Sequence, residues 1–264
     1  MGNFFQSVAS SRPVVVNRLL DDYSGASAAF SLRLLSSTYT GDAVEVYNGS
    51  SYADIGFSSG ELDTTALATH CGSNDGFVRT WYDQSGNSND AAQSSPTNMP
   101  KIYDGATQSV LKENGKPIIN AVTGNSCTLL LGTALTSSTT HIFGVAELDS
   151  TAIKVMIGIT NGVGIYIAND SDTNSAAVGS SLYINGASSS ITTRDEVSDQ
   201  FQNQTSFNGV SNLSSADQTR LGLLNGGGDT FKMFNMQEII FYGSSQSASR
   251  SGIEININNF YNIY

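Results

Sequence analysis

The sequence predicts an all-β protein built from two packed antiparallel sheets, and three observations carry that prediction. Short apolar or alternating runs recur along most of the 264 residues, helical spacing is confined to a few places, and no strand–helix–strand rhythm suggests a parallel sheet. The strand candidates are Val44–Asn48, Phe77–Asp83, Pro117–Val122, Thr128–Leu131, Thr140–Leu148, Lys154–Thr160, Gly164–Ala168, Ser181–Ile184, Arg220–Leu224 and Lys232–Tyr242. Asn161-Gly162, Asn185-Gly186, Asn208-Gly209 and Asn225-Gly226 mark turns between them, since Asn and Gly tolerate the left-handed conformation that hairpins need.

Three segments read as helix. Ser27–Ser36 reads as helix through Ala28, Ala29, Phe30, Leu32, Leu34 and Leu35, with Gly41 beyond its end. Asp63–His70 has Asp63 to cap its first turn and Gly72 to end it. Ser247–Tyr261 places Ile253, Ile257, Phe260 and Tyr261 on one stripe, as an amphipathic helix does. Ahead of all of these, residues 1–20 read as an arm. Phe4, Phe5, Val14, Val15 and Val16 are apolar without helical spacing, and Pro13 interrupts them. Such an arm docks on its own domain, docks on a neighbour, or hangs as a tail. The expected organisation is this arm followed by one sandwich over 21–264.

Composition narrows the function classes. Lys and Arg total 12 against 23 Asp and Glu, a net charge of −11, which excludes a phosphate-tracking nucleic-acid surface. With 39% hydrophobic and 13% charged residues the chain has the material for a core and little to solvate a disordered coil. Cys71 and Cys127 are too few for a disulfide framework and read as small buried hydrophobes. With only His70 and His141 and no Cys-x-x-Cys, no zinc spacing exists. Asp83-x-x-x-Asn87-x-Asn89-Asp90 and Asp170-x-Asp172 are loose oxygen-bearing loops that match no EF-hand spacing. No cofactor is expected. The N-terminus lacks a basic start and a signal core, and no run approaches the roughly 18 apolar residues of a membrane span. The expectation is a soluble protein made in a cytoplasm.

Two blocks carry a family resemblance. LLDDYSGASAAFSLRLLSSTYTG, DIGFSSGELDTTAL, DGFVRTWYDQSGNSNDAAQ and PKIYDG resemble the N-terminal part of the catalytic domain of fungal α-L-arabinofuranosidase B, and resemble more closely a block of structural and adhesin-like proteins of tailed bacteriophages. SLYINGAS (181–188) and TRLGLLNGGGDTFKMFNMQEIIFYGSSQSASRSGIEININNFYNIY look like the second half of a concanavalin A/laminin-G-like jelly roll. The resemblance covers most of 20–264 and implies a jelly-roll β-sandwich with a few short helices and a C-terminal helix. Trp81–Asn87 is its most specific motif.

An arabinofuranosidase needs two carboxylates across the scissile bond, about 5–5.5 Å apart for retention. In that family the nucleophile is the Glu of an Asp-Leu-Glu segment. The corresponding stretch here resembles Ser181–Ser190, which holds no acid, and the family's adjacent cysteine pair is absent where the chain reads KVMIGIT (154–160). Gly227-Gly228-Asp229 resembles the glycine pair that precedes the family's acid/base Asp, but a lone acid without its nucleophile cannot run that double displacement, and on its own residues Asp229 reads as the shaper of a hairpin turn. Glu147, Asp149, Glu196 and Glu238 are further acids without an assigned role, and Glu238 alternates with Met236 and Ile240 along a strand. Gly-x-Ser-x-Gly is absent, and neither histidine has an evident base partner.

The sequence expectation is therefore a non-enzymatic bacteriophage virion protein: a capsid decoration, head fibre or tail appendage. Its arm would attach to other virion proteins, its copies would form a homo-oligomer, a trimer being the natural state of a fibre or decoration unit, and its loops would touch host-surface polysaccharide. The candidate glycan-binding residues are Trp81, Tyr82, Asp83, Asn87 and Asp229, with aromatic faces and amide or carboxylate hydrogen bonds suited to sugars. The alternatives are a glycoside hydrolase of α-L-arabinofuranosidase type and a cellular carbohydrate-binding module.

Overall fold

A computed structural model describes residues 18–120, 127–147, 154–159, 164–167, 180–191, 193, 196, 204–211, 213, 219–222, 232–233 and 235–264. Among these, two sheets face each other. The first has the antiparallel order Ala28–Ser31, Asn235–Tyr242, Thr140–Glu147, Thr205–Ser211, Ser180–Ile184, Ala187–Ser188. The second runs Gly164–Ile167, Lys154–Ile159, Thr219–Leu221, Leu129–Leu131, Ala91–Ala92, Gly76–Trp81, Val44–Tyr47, Tyr52–Ile55. The main core lies between them, where Phe30, Ile142, Ile239 and Phe241 of the first sheet meet Val44, Val46, Val78, Trp81 and Leu129 of the second. This is the expected jelly-roll-like β-sandwich.

The first sheet is covered on its other face as well. Side chains that alternate with the core set, Ala29, Phe143, Ile240 and Tyr242, pack against Ile253, Ile257 and Tyr261 of the helix Arg250–Tyr261 and against Leu19 and Leu20. Three of the four stripe residues named from the sequence are buried there, and Phe260 is half-buried. Leu19 and Leu20 lie in the short helix Leu19–Asp22, so the packed domain begins ahead of residue 21. The arm residues Phe4, Phe5, Val14, Val15 and Val16 lie outside the described residues.

Thr64–Cys71 forms the second expected helix, with the Asp63 carboxylate accepting from the Thr65 and Ala66 N–H groups and Gly72 ending it at φ 57°. The first expected helix is a correction. Ala28–Ser31 is a strand, buried at all four positions, with Phe30 facing the core and Ala29 facing the helix layer. A strand covered on both faces shows no alternation, and its Ala and Leu content then mimics a helix. Asn208-Gly209 is a second correction: both sit inside the strand Thr205–Ser211, opposite Phe143 and Ile142. Asn185-Gly186 is the expected hairpin turn, with φ of 50° and 75°. Asn161-Gly162 and Asn225-Gly226 lie outside the described residues. Cys71 and Cys127 are buried, separate thiols; burial pushes the Cys71 thiol up to about 11. No helix among the described residues is long and apolar enough to cross a membrane.

Candidate functional site

Trp81 ends the strand Gly76–Trp81 pointing inward. It is fully buried in the core, with its ring centroid 5.8 Å from that of Phe30. The next residues turn back toward the first sheet and fasten it. Asp83 Oδ1 accepts the Ala29 N–H at 2.8 Å and the Ser85 N–H at 2.9 Å, while Oδ2 accepts the Ser85 hydroxyl at 2.7 Å and the Asn89 N–H at 3.0 Å. Gln84 accepts the Leu35 N–H through Oε1 and donates through Nε2 to the Ser31 and Arg33 carbonyls. Asp90 accepts the Asp83 N–H, and Asn89 closes a two-way amide pair with the Thr133 backbone. The segment thus staples one sheet to the other, and a buried carboxylate with four donors is a finished structural knot.

The five sequence candidates therefore part company. Trp81 and Asp83 are 0% and 3% exposed and offer no face to a ligand. Asn87 Nδ2 donates to the Ala26 carbonyl at 2.9 Å, and the residue borders a cleft of about 440 Å³ whose wall includes Ser27, Asn89, Thr133, Ser137 and Thr140. Tyr82 points the other way, out of the second sheet, and its hydroxyl donates to Asp54 Oδ1 at 2.6 Å. Burial, then the Asp54 hydrogen bond and charge, hold that phenol well above the usual tyrosine range. Asp229 lies outside the described residues, as do Asp149, Asp170 and Asp172. Among the described residues no group of three or more His, Cys, Asp or Glu is arranged to hold a metal ion.

A second cleft, of about 530 Å³, opens beside the Asn185-Gly186 hairpin. Its wall is the run Ala187–Ile191, and Glu196 stands at its edge. Glu196 is exposed and accepts the Thr193 N–H at 3.0 Å, as the fourth residue of a Thr-x-x-Glu capping box does. The hairpin is the stretch in which the resemblance to arabinofuranosidases found no acid. Glu196 lies a few residues beyond it and lines the same cleft; the sequence offered it only as one of four acids without an assigned role. Glu238 is a different case, fully buried and bound to Arg33.

No protein-family model and no curated protein sequence matches the chain. Three solved structures are similar to it, each at 15% identity over 90% of this chain. They are an arabinofuranosidase complexed with arabinofuranosyl-α-1,2-xylobiose (TM-score 0.60), a point mutant of a GH54 α-L-arabinofuranosidase soaked with 4-nitrophenyl α-L-arabinofuranoside (0.58), and a GH54 α-L-arabinofuranosidase soaked with a cyclic sulfate inhibitor (0.57). The chain spans 64% of the length of each. At that identity the likeness establishes the fold. It also corrects one expectation: the chain was expected to be no enzyme, whereas the solved structures it is similar to are arabinofuranosidases. The comparisons bear on the arabinofuranosidase half of the resemblance and leave the bacteriophage half untouched.

Proposed function

We propose that the chain is a glycoside hydrolase of α-L-arabinofuranosidase type. What supports the reading is the sandwich shared along 90% of the chain with three arabinofuranosidase structures. A carboxylate, Glu196, lines the cleft beside the Asn185-Gly186 hairpin, a few residues beyond the acid-free stretch Ser181–Ser190. In this reading Asp229 is the general acid and Glu196 the nucleophile. A Glu196 oxygen bonds to the anomeric carbon as the glycosidic C–O bond breaks, and the Asp229 proton passes to the leaving oxygen. Water then attacks the glycosyl ester, gives its proton to Asp229 and releases the sugar, which restores both carboxyl groups.

The test is release of 4-nitrophenol from 4-nitrophenyl α-L-arabinofuranoside. The wild-type chain is expected to turn it over, and Asp229→Asn and Glu196→Gln each to lower the rate by about 10²–10⁴-fold. Wild-type rates in Glu196→Gln would move the nucleophile elsewhere. No turnover by the folded wild-type chain would remove the hydrolase reading, and sugar binding without turnover would mark a binding module.

A further inference from the structure

Strand alternation sorts the side chains of three neighbouring strands of the second sheet. Val44, Val46, Ile55 and Val78 point into the core. Glu45, Tyr47, Tyr52, Asp54 and Phe77 therefore stand on the opposite, outer face. Register then places them in rows. Tyr52, Tyr47 and Phe77 are consecutive cross-strand partners, and so are Asp54, Glu45 and Thr80. The Tyr47 and Tyr52 rings stack with centroids 4.8 Å apart, and the Arg79 guanidinium lies 4.8 Å from the Tyr52 ring centre while its Nη1 donates to Glu45 at 3.0 Å. An aromatic row thus runs beside a row of carboxylates, a hydroxyl and one guanidinium. Tyr52 is 44% exposed, and Arg79 keeps 44% of its side chain exposed.

We propose that this outer face binds a neutral polysaccharide chain. The inference takes its ligand class from the proposed function and adds a place and a selectivity. Aromatic rings cover the apolar C–H faces of sugars, and carboxylates accept their hydroxyl protons, while a guanidinium donates to ring and hydroxyl oxygens. Glu45 and Asp54 outnumber Arg79 on the face, and the chain carries −11 overall, so a uronate polymer or a nucleic acid meets repulsion. Neutral chains meet none.

Binding to soluble arabinoxylan, measured by affinity electrophoresis and calorimetry, tests the proposal, with polygalacturonate and polylysine as charged controls. The wild-type chain should bind arabinoxylan and not polygalacturonate. Tyr52→Ala should weaken binding roughly tenfold, the loss of an aromatic contact of about 1.4 kcal/mol, and Arg79→Ala should weaken it less. Turnover of the small aryl glycoside should be unchanged in Tyr52→Ala. The strand is an edge strand and Tyr52 is exposed, so retention of the circular-dichroism spectrum and unfolding midpoint identifies a folded variant. Equal arabinoxylan binding by wild type and Tyr52→Ala overturns the proposal. So does no polymer binding at all, or salt-sensitive preference for polylysine, which would mark a basic protein partner. Tyr52-dependent binding without glycoside turnover would sink the hydrolase reading and keep this surface.

Discussion

One glutamate in each sheet pairs with an arginine, and the pairs differ in what surrounds them. Glu238 of the first sheet is gripped by Arg33, two residues past the strand Ala28–Ser31, with Nε at 2.7 Å and Nη2 at 2.9 Å and side chains 0% and 5% exposed. The Ser31 hydroxyl donates to the same carboxylate, Asn256 of the C-terminal helix accepts from Arg33 Nη1, and the guanidinium lies 4.9 Å from the Phe260 ring centre. In the second sheet Arg79 and Glu45 are 44% and 18% exposed, with Tyr52 as the ring beside them. The enclosed pair has its valences filled by the fold and ties the helix layer to the sheet. The open pair keeps donors, acceptors and ring surface within reach of a ligand. Identical chemistry serves architecture in one place and recognition in the other, and solvent access decides which.

The sharpest way to break that contrast is to remove one partner from each pair. Glu238→Ala leaves Arg33 buried and unpaired, and urea unfolding should show a loss of about 3–5 kcal/mol. A loss below 1 kcal/mol would mean the guanidinium finds water, and the enclosed pair would then be no tie. Next in size comes the staple. Asp83→Ala strips acceptors from the N–H groups of Ala29, Ser85 and Asn89 and should cost about 2–3 kcal/mol, read as a lower urea midpoint at unchanged slope.

A smaller effect comes from pH. His141 sits at 4% exposure, and burial lowers its pKa below 6.5. Its Nδ1 accepts the Gln246 N–H at 2.7 Å, which requires the ring to be unprotonated there. The unfolded chain takes up this proton first as pH falls, so stability should drop as pH goes down through about 6.5 and level off below the folded value. His141→Gln should remove that slope; a slope unchanged in the variant would place its source in another group. The smallest effect belongs to the open pair. Arg79→Ala should change stability by about 0–1 kcal/mol, and a larger loss would mean the pair is structural after all.

How far the sequence reached follows from what each position needs. Local chemistry was legible: Asp63 capping a helix, Asn185-Gly186 turning a hairpin, and the stripe Ile253, Ile257, Tyr261. Positions set by tertiary covering were not. Ala28–Ser31 lies between two buried layers, and Asn208 sits mid-strand opposite Phe143, where neighbours override turn chemistry. Trp81–Asn87 stood out as a motif, but its role as a staple depends on Ala29, Leu35 and Ala26, about 50 to 60 residues away along the chain. The Tyr52–Tyr47–Phe77 row exists only through register, which spacing along the chain does not reveal. Glu196 was visible as an acid, and only the fold sets it beside the hairpin.

The central claim, that this sandwich acts on arabinofuranosyl sugars, is tested most directly by incubating the folded chain with arabinoxylan and following free L-arabinose by chromatography. The account predicts steady release over time that Asp229→Asn slows by about 10²–10⁴-fold. Absence of arabinose after prolonged incubation with properly folded protein, or release unaltered in Asp229→Asn, would contradict it.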